Sequence, residues 1–525
     1  MHIKLEANKW ITNNSCIKIT DTENGIKIEN TSDNISEYIH YKAIRFFSKY
    51  STNDLFDIEK NTMYIIKFDG YKDEGIEVKL FINTYSKEKL LSNNSMNIGD
   101  ELKIYTEKDV ESYKLAIRIS GTGSIYINNL VIESMDNKIY ENNILNHLSN
   151  NNYLLLTNMY PSEHDLYRNA FVHRRIKLYK EFGLNVDVYS LDKKGTLLSN
   201  YEFESIKVLK GDYKGLETIL KFKKYKKILI HFVNEDMIKV LDKICYDIPR
   251  IVWLHGFEVS RWNRRIFNYT EEQINTNKDV WDIMDKIKMF FLRSIYKDKR
   301  YKFIAVSNWL KTECCEVDAN CKIENCDIIP NVIDENLFKY TPKSKDERLK
   351  ILSIRPFTAN NYANDLSVKA ILELSKKSFF YELEFNIYGR GLLFKEITND
   401  IKHFKNVNLY EKFISQSEIA NLHRQHGIFL CPTRLDTHGV SMCEAMSSGL
   451  VCISNDVCAI SEYLVDNECG LLVKEEDYIG IANAIEYLYY NPDEFLKMSK
   501  VASEYIKLKC GIEATIKKEI QLIKR

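Results

Sequence analysis

The 525-residue chain lacks an excess of either charge, because 74 Lys and Arg balance 74 Asp and Glu. Nucleic-acid-binding proteins usually carry a basic excess, so no nucleic-acid partner is expected. No window approaches the roughly 18 consecutive apolar residues of a membrane-spanning helix. Lys4, Glu6 and Lys9 interrupt any apolar segment at the N-terminus, so no export signal is expected. The sequence predicts a cytoplasmic protein that does not cross a membrane, and leaves open its association with the inner face of one.

Three familiar site patterns are also missing. The twelve cysteines lack the paired C-x-x-C spacing of zinc sites, so reduced thiols are expected. Four cysteines cluster in the sequence, but no nearby His completes a zinc-ligand set with them: Cys314, Cys315, Cys321 and Cys326. The stretches "GTGSIY" and "GRGLLF" lack the third Gly of a dinucleotide fingerprint. No Asp-x-Asp is present to hold a metal-bound diphosphate. We therefore expect no metal and no cofactor.

Residues 1–145 alternate apolar and polar side chains with period two. In "IEVKLFI", Ile76, Val78, Leu80 and Ile82 fall on one face, and "YKLAIRISGTGSIYINNLVIE" turns at Gly121–Gly123. This pattern predicts an all-β sandwich of the jelly-roll, carbohydrate-binding-like kind, followed by a polar linker near 134–152. Six aromatic residues offer faces for stacking on sugar rings: Trp10, Tyr38, Tyr41, Tyr71, Tyr85 and Tyr126.

The rest of the chain alternates short apolar strands with helical segments. Strand candidates such as "YLLLT", "KILIHF" and "RIVWLH" predict a first doubly wound domain over 150–335, and "LKILSI", "LEFNIYG" and "GLVCIS" a second over 345–510. The last residues, 511–525, predict an amphipathic helix that packs back on the first of these domains. Ligands of open α/β sheets bind at the carboxyl ends of the strands, so the cleft between the two domains is the predicted site.

The stretch "DTHGVSMCEAMSSGLVCISND" concentrates the candidate donor-binding residues. A strand ends near Pro432, and a helix is predicted to start near Gly439 or Val440, with Ser441 in its first turn. Free backbone N–H groups at such a helix start bind anions. Glu444, one turn further, offers two acceptor oxygens to a pair of vicinal hydroxyls. Together with Asp436 in the loop, this predicts a nucleoside diphosphate sugar as ligand.

The same stretch resembles the donor signature of family-4 glycosyltransferases, which are retaining enzymes of the GT-B architecture. Their pattern is an acid, seven residues, Glu-Ala-Met, an apolar strand and a further Glu, and here Asp436, Glu444 and Glu462 stand in that order. The first acid of the family is usually Glu, so Asp436 is one methylene shorter. The resemblance spans roughly residues 150–525, and "IIPNVID", with Asn331, looks like the family's interdomain segment.

The resemblance implies roles for further residues. Arg355 in "SIRPF" would lie against the diphosphate, where a guanidinium can hold two phosphate oxygens. The family commonly adds a Lys five or six residues later, but this chain has Asn360 and Asn361. Either Arg355 and the helix start suffice, or a basic group such as Lys369 or Arg390 substitutes. His255 in "VWLHGFE" would contact the donor sugar from across the cleft. The acceptor side would draw on weaker candidates, namely Asp165, Asn169, His173, Arg174, Glu258 and Trp262.

The expected function is a retaining, metal-independent hexosyltransferase that moves a sugar to a glycan or lipid-linked acceptor in surface polysaccharide or glycoconjugate synthesis. His255, Arg355 and Asp436 are its expected catalytic residues. Two alternatives stay open: a non-catalytic sugar- or nucleotide-binding scaffold, which the missing Lys and the shorter Asp436 would fit, and a nucleotide-sugar epimerase of the same architecture.

Overall fold

The computed structural model describes residues 2–3, 5–32, 36–42, 57–60, 62–87, 89–106, 109–136, 142, 144–146, 148–162, 165, 168–192 and 198–525. The chain divides into two compact units. One holds residues 1–148 with 196–199, and the other holds residues 149–195 with 200–525.

The first unit contains two antiparallel sheets. The strand order of the larger sheet is Ile17–Thr22, Gly25–Asn30, Gly123–Asp136, Thr62–Lys72 and Glu101–Tyr105, with His2–Ile3 also pairing with Gly123–Asp136. The order of the smaller sheet is Trp10–Ile11, Ser36–Tyr41, Ser112–Ser120, Glu77–Ser86 and Lys89–Asn97. A short 3-10 helix covers Ala7–Lys9.

Both sheets contribute to one buried core, which contains Ile26 and Ile28 from the larger sheet and Leu80 and Ile117 from the smaller. The predicted alternation of "IEVKLFI" is confirmed, since Ile76, Val78, Leu80 and Ile82 are all buried. The arrangement fits a β-sandwich, whereas the jelly-roll topology and a role in carbohydrate binding stay predictions. The strand Gly123–Asp136 takes in the start of the predicted linker, and residues 137–141, 143 and 147 of that linker lie outside the described residues.

Half of the six aromatic residues proposed as a sugar-binding surface do not lie on the surface. Trp10, Tyr41 and Tyr85 are buried, because large aromatic side chains in strands serve the core as readily as a ligand. Tyr71 is exposed and stacks on Tyr126 with ring centroids 4.5 Å apart. The remaining one, Tyr38, is half-buried with its ring edge toward Phe81.

The second unit begins with an eight-stranded sheet. Its strands lie in the order Ser199–Phe203, Ile206–Gly211, Asp187–Leu191, Tyr153–Thr157, Lys227–His231, Arg250–Leu254, Tyr301–Ala305 and Cys326–Ile328. The central pairs are parallel and buried on both faces, as in the leucines of "YLLLT". The associated helices are Ala170–Glu181, Tyr213–Phe222, Glu235–Ile244, Glu271–Tyr296 and Val317–Ala319, with a 3-10 helix at Trp262–Asn268 and a π-helix at Leu310–Glu316.

A six-stranded parallel sheet follows in the same unit. Its strands lie in the order Val407–Glu411, Glu384–Gly389, Lys350–Ile354, Ile428–Leu430, Val451–Asn455 and Gly470–Val473. Its helices are Asn364–Leu374, Phe394–Thr398, Gln416–Gln425, Val440–Ser447, Ile460–Tyr463, Tyr478–Tyr490 and Pro492–Cys510, with 3-10 helices at Lys345–Leu349, Asn360–Tyr362 and Phe380–Glu382. The strand order reverses after the third strand in sequence, so the switch point lies between Lys350–Ile354 and Ile428–Leu430. Ligands of such sheets bind at that point.

The last helix, Ile516–Lys524, packs in the core of the eight-stranded domain. Its buried Glu519 accepts hydrogen bonds from Arg175 Nε (3.1 Å), Trp253 Nε1 (2.9 Å) and the Tyr179 hydroxyl (2.6 Å). The chain therefore crosses back after the second sheet and ties its end to the first through a buried ion pair.

Among the helices of the described residues, none is both long enough and apolar enough to cross a membrane.

Candidate functional site

The predicted donor-binding stretch, residues 436–447, forms a loop and a helix at the carboxyl end of the strand Ile428–Leu430. The helix covers Val440–Ser447, as predicted, and Gly439 precedes it with a φ of 75°, a left-handed conformation that favours glycine. Asp436 Oδ1 accepts hydrogen bonds from the backbone N–H groups of His438 (3.1 Å) and Gly439 (2.6 Å). Within the described residues no side chain caps the helix itself, so its first N–H groups are left to a ligand.

Arg355 brings a buried positive charge to this helix start. It follows the strand Lys350–Ile354, which lies beside Ile428–Leu430 in the sheet, and is 4% exposed. Its Nη1 donates to the Ser441 hydroxyl at 2.7 Å, and its Nη2 lies 4.0 Å from Asp436 Oδ2. Its Nε has no hydrogen-bond partner among the described residues. A guanidinium with unused donors beside a free helix start is suited to bind a diphosphate.

Glu444 pairs with a residue of the other α/β domain. Its Oε1 accepts from Arg174 Nη1 at 2.8 Å, and Arg174 Nη2 donates to Gln416 Oε1 at 2.5 Å. Burial raises the pKa of the Glu444 carboxyl, and the Arg174 charge opposes that shift. The residue expected to bind vicinal hydroxyls thus has one oxygen engaged across the cleft, and Arg174, predicted on the acceptor side, lies at the donor carboxylate instead.

A cavity of about 420 Å³ borders this ion pair. Arg174, Lys177, Asp334 and Gln416 are among its lining residues. Its volume is in the range of small-molecule sites. The cavity provides room for a polar ligand on the side of the cleft where Arg174 meets Glu444.

His255 follows the strand Arg250–Leu254 and lies opposite the donor loop, since its carbonyl oxygen accepts from Thr437 Oγ1 at 2.9 Å. Its Nε2 lies 2.9 Å from Nδ1 of the buried His231. Burial lowers the pKa of both imidazoles well below the usual value for His, and Arg175 contributes in the same direction, so both rings are neutral.

The contact between the two rings selects their tautomers. His231 Nε2 is buried without a partner among the described residues. An unpaired buried N–H costs more than an unpaired lone pair, so the His231 proton belongs on Nδ1, which donates to His255 Nε2. His255 then carries its own proton on Nδ1. The arrangement makes His255 a neutral N–H donor.

Glu258 shapes the turn after His255. Its Oε1 accepts from the His255 backbone N–H at 2.7 Å, and its Oε2 is buried without a partner among the described residues. Burial raises the pKa of this carboxyl to about 7. At Gly256 the turn comes so close to the donor loop that an added Cβ would lie 2.7 Å from Thr437 Cγ2. The two loops are therefore fitted to one another across the cleft, and neither Thr437 nor His231 had a sequence signal that pointed to this contact.

Three predicted donor residues have competing contacts or an exposed side chain. The Glu462 carboxylate accepts from the backbone N–H groups of Asn308 (2.9 Å) and Trp309 (2.6 Å), at the edge of the eight-stranded domain. Asn331 is buried and accepts from Arg175 Nη2 at 3.0 Å. Arg390 is exposed. Donor binding by these three stays a prediction, and the contacts of Glu462 and Asn331 give both a structural reason to be present.

Lys369, one of the basic groups that could substitute for the missing Lys, is exposed and pairs with Asp365 at 3.4 Å. Asn360, at the Lys position, bonds across the cleft to Asn268 Oδ1 (2.8 Å) and to the Phe267 carbonyl (3.0 Å). Of the alternatives left open by the sequence, the geometry favours charge neutralisation by Arg355 and the helix start.

The remaining acceptor-side candidates have structural contacts. His173 is buried between the Tyr160 hydroxyl (2.7 Å) and Glu204 (3.4 Å), and burial lowers its pKa. Asn169 donates to Asn158 Oδ1 at 3.0 Å, and Asp165 pairs with Arg168 at 2.6 Å. Residues 163–164 and 166–167 of this loop lie outside the described residues. Trp262 is held by the helix Glu271–Tyr296, with its Nε1 donating to Asp282 at 2.7 Å.

One buried group beneath the donor loop has the residue types of a metal site. His438, Cys443 and Cys510 bring their ligand atoms within 4.8 Å of one another. Structural zinc sites have four protein ligands, and a metal-bound His normally donates its second N–H, whereas His438 Nδ1 has no partner among the described residues. The group therefore fits core packing better than a metal site. The four cysteines around Cys314, for which the sequence predicts reduced thiols, are free cysteines in the structure.

Comparisons with known proteins bear on one domain and on the fold. Residues 335–508 match the family Glycosyl transferases group 1. No curated protein matches the chain. Among solved structures, sucrose-phosphate synthase from Thermosynechococcus elongatus is similar at TM-score 0.55 and 14% identity, covering 71% of this chain and 98% of that one. A glycosyltransferase from Rickettsia africae is similar at TM-score 0.51 and 14% identity, covering 71% of this chain and 98% of that one. The Anabaena protein HepE, in complex with UDP and glucose, is similar at TM-score 0.52 and 12% identity, covering 71% of this chain and 99% of that one.

These comparisons show a glycosyltransferase group 1 domain at the second α/β sheet and a fold of the GT-B type for the region that holds both sheets. At such low identity, the similarity to the solved structures shows the fold alone.

Proposed function

We propose that the protein is a glycosyltransferase that transfers a sugar from a nucleoside diphosphate sugar to a hydroxyl acceptor. One observation carries the proposal: the buried Arg355 guanidinium, with unused donors, lies at an uncapped helix start one turn before Glu444. A bidentate cation beside free backbone N–H groups supports diphosphate binding, and the Glu444 carboxylate supports ribose binding. HepE was solved with UDP and glucose, which is a ligand of this chemistry.

In the proposed reaction the diphosphate gains negative charge as the glycosidic bond breaks. Arg355 and the helix N–H groups stabilise that charge, and such electrostatic stabilisation is usually the largest contribution to catalysis. His255 donates its Nδ1–H to a sugar hydroxyl, and Asp436 orders the loop while its second oxygen faces the sugar. The acceptor hydroxyl attacks the anomeric carbon from the face that the diphosphate leaves, and its proton passes to the departing diphosphate oxygen. The anomeric configuration is therefore retained, without a metal ion. This retaining course and the family-4 assignment rest on the resemblance of the donor motif.

Glu444 is proposed to bind the ribose hydroxyls in competition with Arg174. The cavity beside the pair is large enough for the nucleoside to enter as Arg174 moves aside. The acceptor is proposed to be a glycan or a lipid-linked saccharide of surface polysaccharide or glycoconjugate synthesis. A lipid-linked acceptor would bring the protein to the inner face of a membrane, and the first unit, with its exposed Tyr71 stacked on Tyr126, would hold the glycan.

A non-catalytic nucleotide-sugar-binding protein is the second candidate. Two observations favour it: Asp436 Oδ1 is occupied by backbone N–H groups, and Asn360 stands in place of the family's Lys. Such a protein would bind the donor without breaking it.

Release of nucleoside diphosphate from a panel of UDP-, GDP- and ADP-sugars tests the proposal, because a transferase site usually leaks some sugar to water. We expect slow hydrolysis of one donor class by the intact protein, and its loss in Arg355→Ala. Saturable donor binding with no hydrolysis, in the presence or absence of glycan acceptors, would favour the second candidate.

A further inference from the structure

The longest helix of the chain, Glu271–Tyr296, presents an apolar stripe to solvent. The stripe consists of five side chains that are each 57–75% exposed: Val280, Ile283, Met284, Ile287 and Phe290. Four of them recur at spacings of three and four residues, which places them on one side of the helix. Contiguous exposed apolar patches of this kind mark interaction sites on soluble proteins.

The stripe is not the face that anchors the helix to its own domain. Met289, Leu292 and Ile295 are buried on another face. Asp282 and Asp285 hold the Trp262 segment by hydrogen bonds of 2.7 Å to its indole N–H and backbone N–H. The helix is therefore packed on its own domain without the stripe, so the stripe remains available to a partner. Asp282 and Asp285, beside the stripe, hold the Trp262 segment.

The charges beside the stripe change sign along the helix. Every seventh residue on one flank is charged, and the order is Glu272, Asp279, Lys286 and Arg293, all exposed. Among the described residues, Glu272, Asp279 and Lys286 form no salt bridge. Arg293 Nε donates to the Ala319 carbonyl at 2.6 Å. Charges at this heptad position select the partner and orientation of a paired helix. An acidic half followed by a basic half is complementary to the same sequence running in the opposite direction.

We propose that the stripe docks against the same stripe of a second copy of this chain, with the two helices antiparallel. The contact is isologous, so that the acidic half of each helix lies beside the basic half of the other. An anionic membrane surface would also accept the apolar side chains and the basic half, but it would repel the acidic half. The charge order thus favours a second copy as the occupant. The proposal does not depend on the transferase activity.

Oligomeric state tests the dimer directly, by sedimentation equilibrium of the full chain over roughly a hundredfold range of concentration, because dimer formation follows mass action. We expect a concentration-dependent dimer. Ile287→Asp should raise its dissociation constant by at least about tenfold, since a charge would be buried in the contact. Leu508→Asp is the matched control, because Leu508 is 81% exposed on another helix, and it should leave the dimer unchanged. An unchanged thermal unfolding midpoint confirms that each variant folds.

A charge exchange gives the sharper test of orientation. Lys286→Asp alone should weaken the dimer, and Asp279→Lys combined with Lys286→Asp should restore it, because the flank is again self-complementary. A monomer at all concentrations overturns the proposal. So does a dimer that is indifferent to Ile287→Asp, or a monomer that floats with vesicles containing phosphatidylglycerol and loses that binding in Ile287→Asp.

Discussion

Replacement of Arg355 by methionine removes the guanidinium from the donor site while keeping much of the side-chain volume. Arg355 is 4% exposed, and its Nη1 donates a hydrogen bond to the Ser441 hydroxyl. Its Nε has no hydrogen-bond partner among the described residues. We therefore expect little change in stability, because the substitution removes a buried charge that forms only one close hydrogen bond with the described residues.

The expected kinetic effect is large. A hydrogen bond to a charged group is worth about 1.5–3 kcal/mol, and about 1.36 kcal/mol corresponds to a tenfold change in rate, so turnover should fall about 10- to 150-fold. The Michaelis constant for the donor should change less, because the diphosphate gains charge only as the bond breaks. Arg355→Lys should recover part of the loss, since an ammonium supplies the charge without the bidentate geometry.

Steady-state release of nucleoside diphosphate measures both constants. Ser441→Ala is the matched control: it removes the contact that orients Arg355 and keeps the charge, so its turnover should lie between those of the intact protein and Arg355→Met. A raised Michaelis constant with unchanged turnover in Arg355→Met would instead show that Arg355 only binds the donor.

Three further substitutions test other parts of the account. Asp436→Asn keeps the oxygen that caps the loop, so the unfolding midpoint should persist while turnover falls, and full activity would remove the Asp436 charge from the mechanism. The Glu258 pKa is raised from 4.5 to about 7, so the folded protein holds a proton that the unfolded chain has lost between these values, and stability falls as pH rises through that window. Glu258→Gln removes this pH dependence. The melting temperature of the variant, relative to that of the intact protein, should therefore increase from pH 4.5 to 7. A difference that is constant with pH would contradict the raised pKa of Glu258. Glu519→Gln leaves the buried Arg175 charge uncompensated and should cost about 3–5 kcal/mol of unfolding free energy in denaturant titrations. Glu513→Gln changes a glutamate whose side chain is 76% exposed, so it should cost far less unfolding free energy.

The strands of both α/β sheets were the most predictable part of the fold. The run "YLLLT" coincides with Tyr153–Thr157, and "KILIHF" and "RIVWLH" each extend one residue beyond their strands. Buried parallel strands are continuous apolar runs, which makes them visible in a single sequence. The edge strands Ser199–Phe203 and Cys326–Ile328 were not predicted, because half-exposed edges lack that continuity.

The candidate site was predictable only where contacts are local in sequence. The helix at Val440–Ser447 and the placement of Arg355 beside it follow from strand ends that meet at one edge of a sheet. The pairing of Arg174 with Glu444 joins residues 270 positions apart, and no periodicity or spacing records such a contact. The same holds for His231, a buried strand residue whose hydrogen bond to His255 depends on the spacing of neighbouring strands.

Glu444 and the helix start are proposed to bind a nucleoside diphosphate, and calorimetric titration of UDP, GDP and ADP into the protein measures this binding. We expect one nucleotide to bind saturably. Glu444→Ala should weaken that binding by about 1.5–3 kcal/mol, because the ribose hydroxyls lose a charged acceptor. Arg174→Met breaks the same ion pair from the other side, leaves the carboxylate in place, and should retain nucleotide binding. Binding of none of these nucleoside diphosphates, or binding by Glu444→Ala as tight as that of the intact protein, would contradict this role of Glu444.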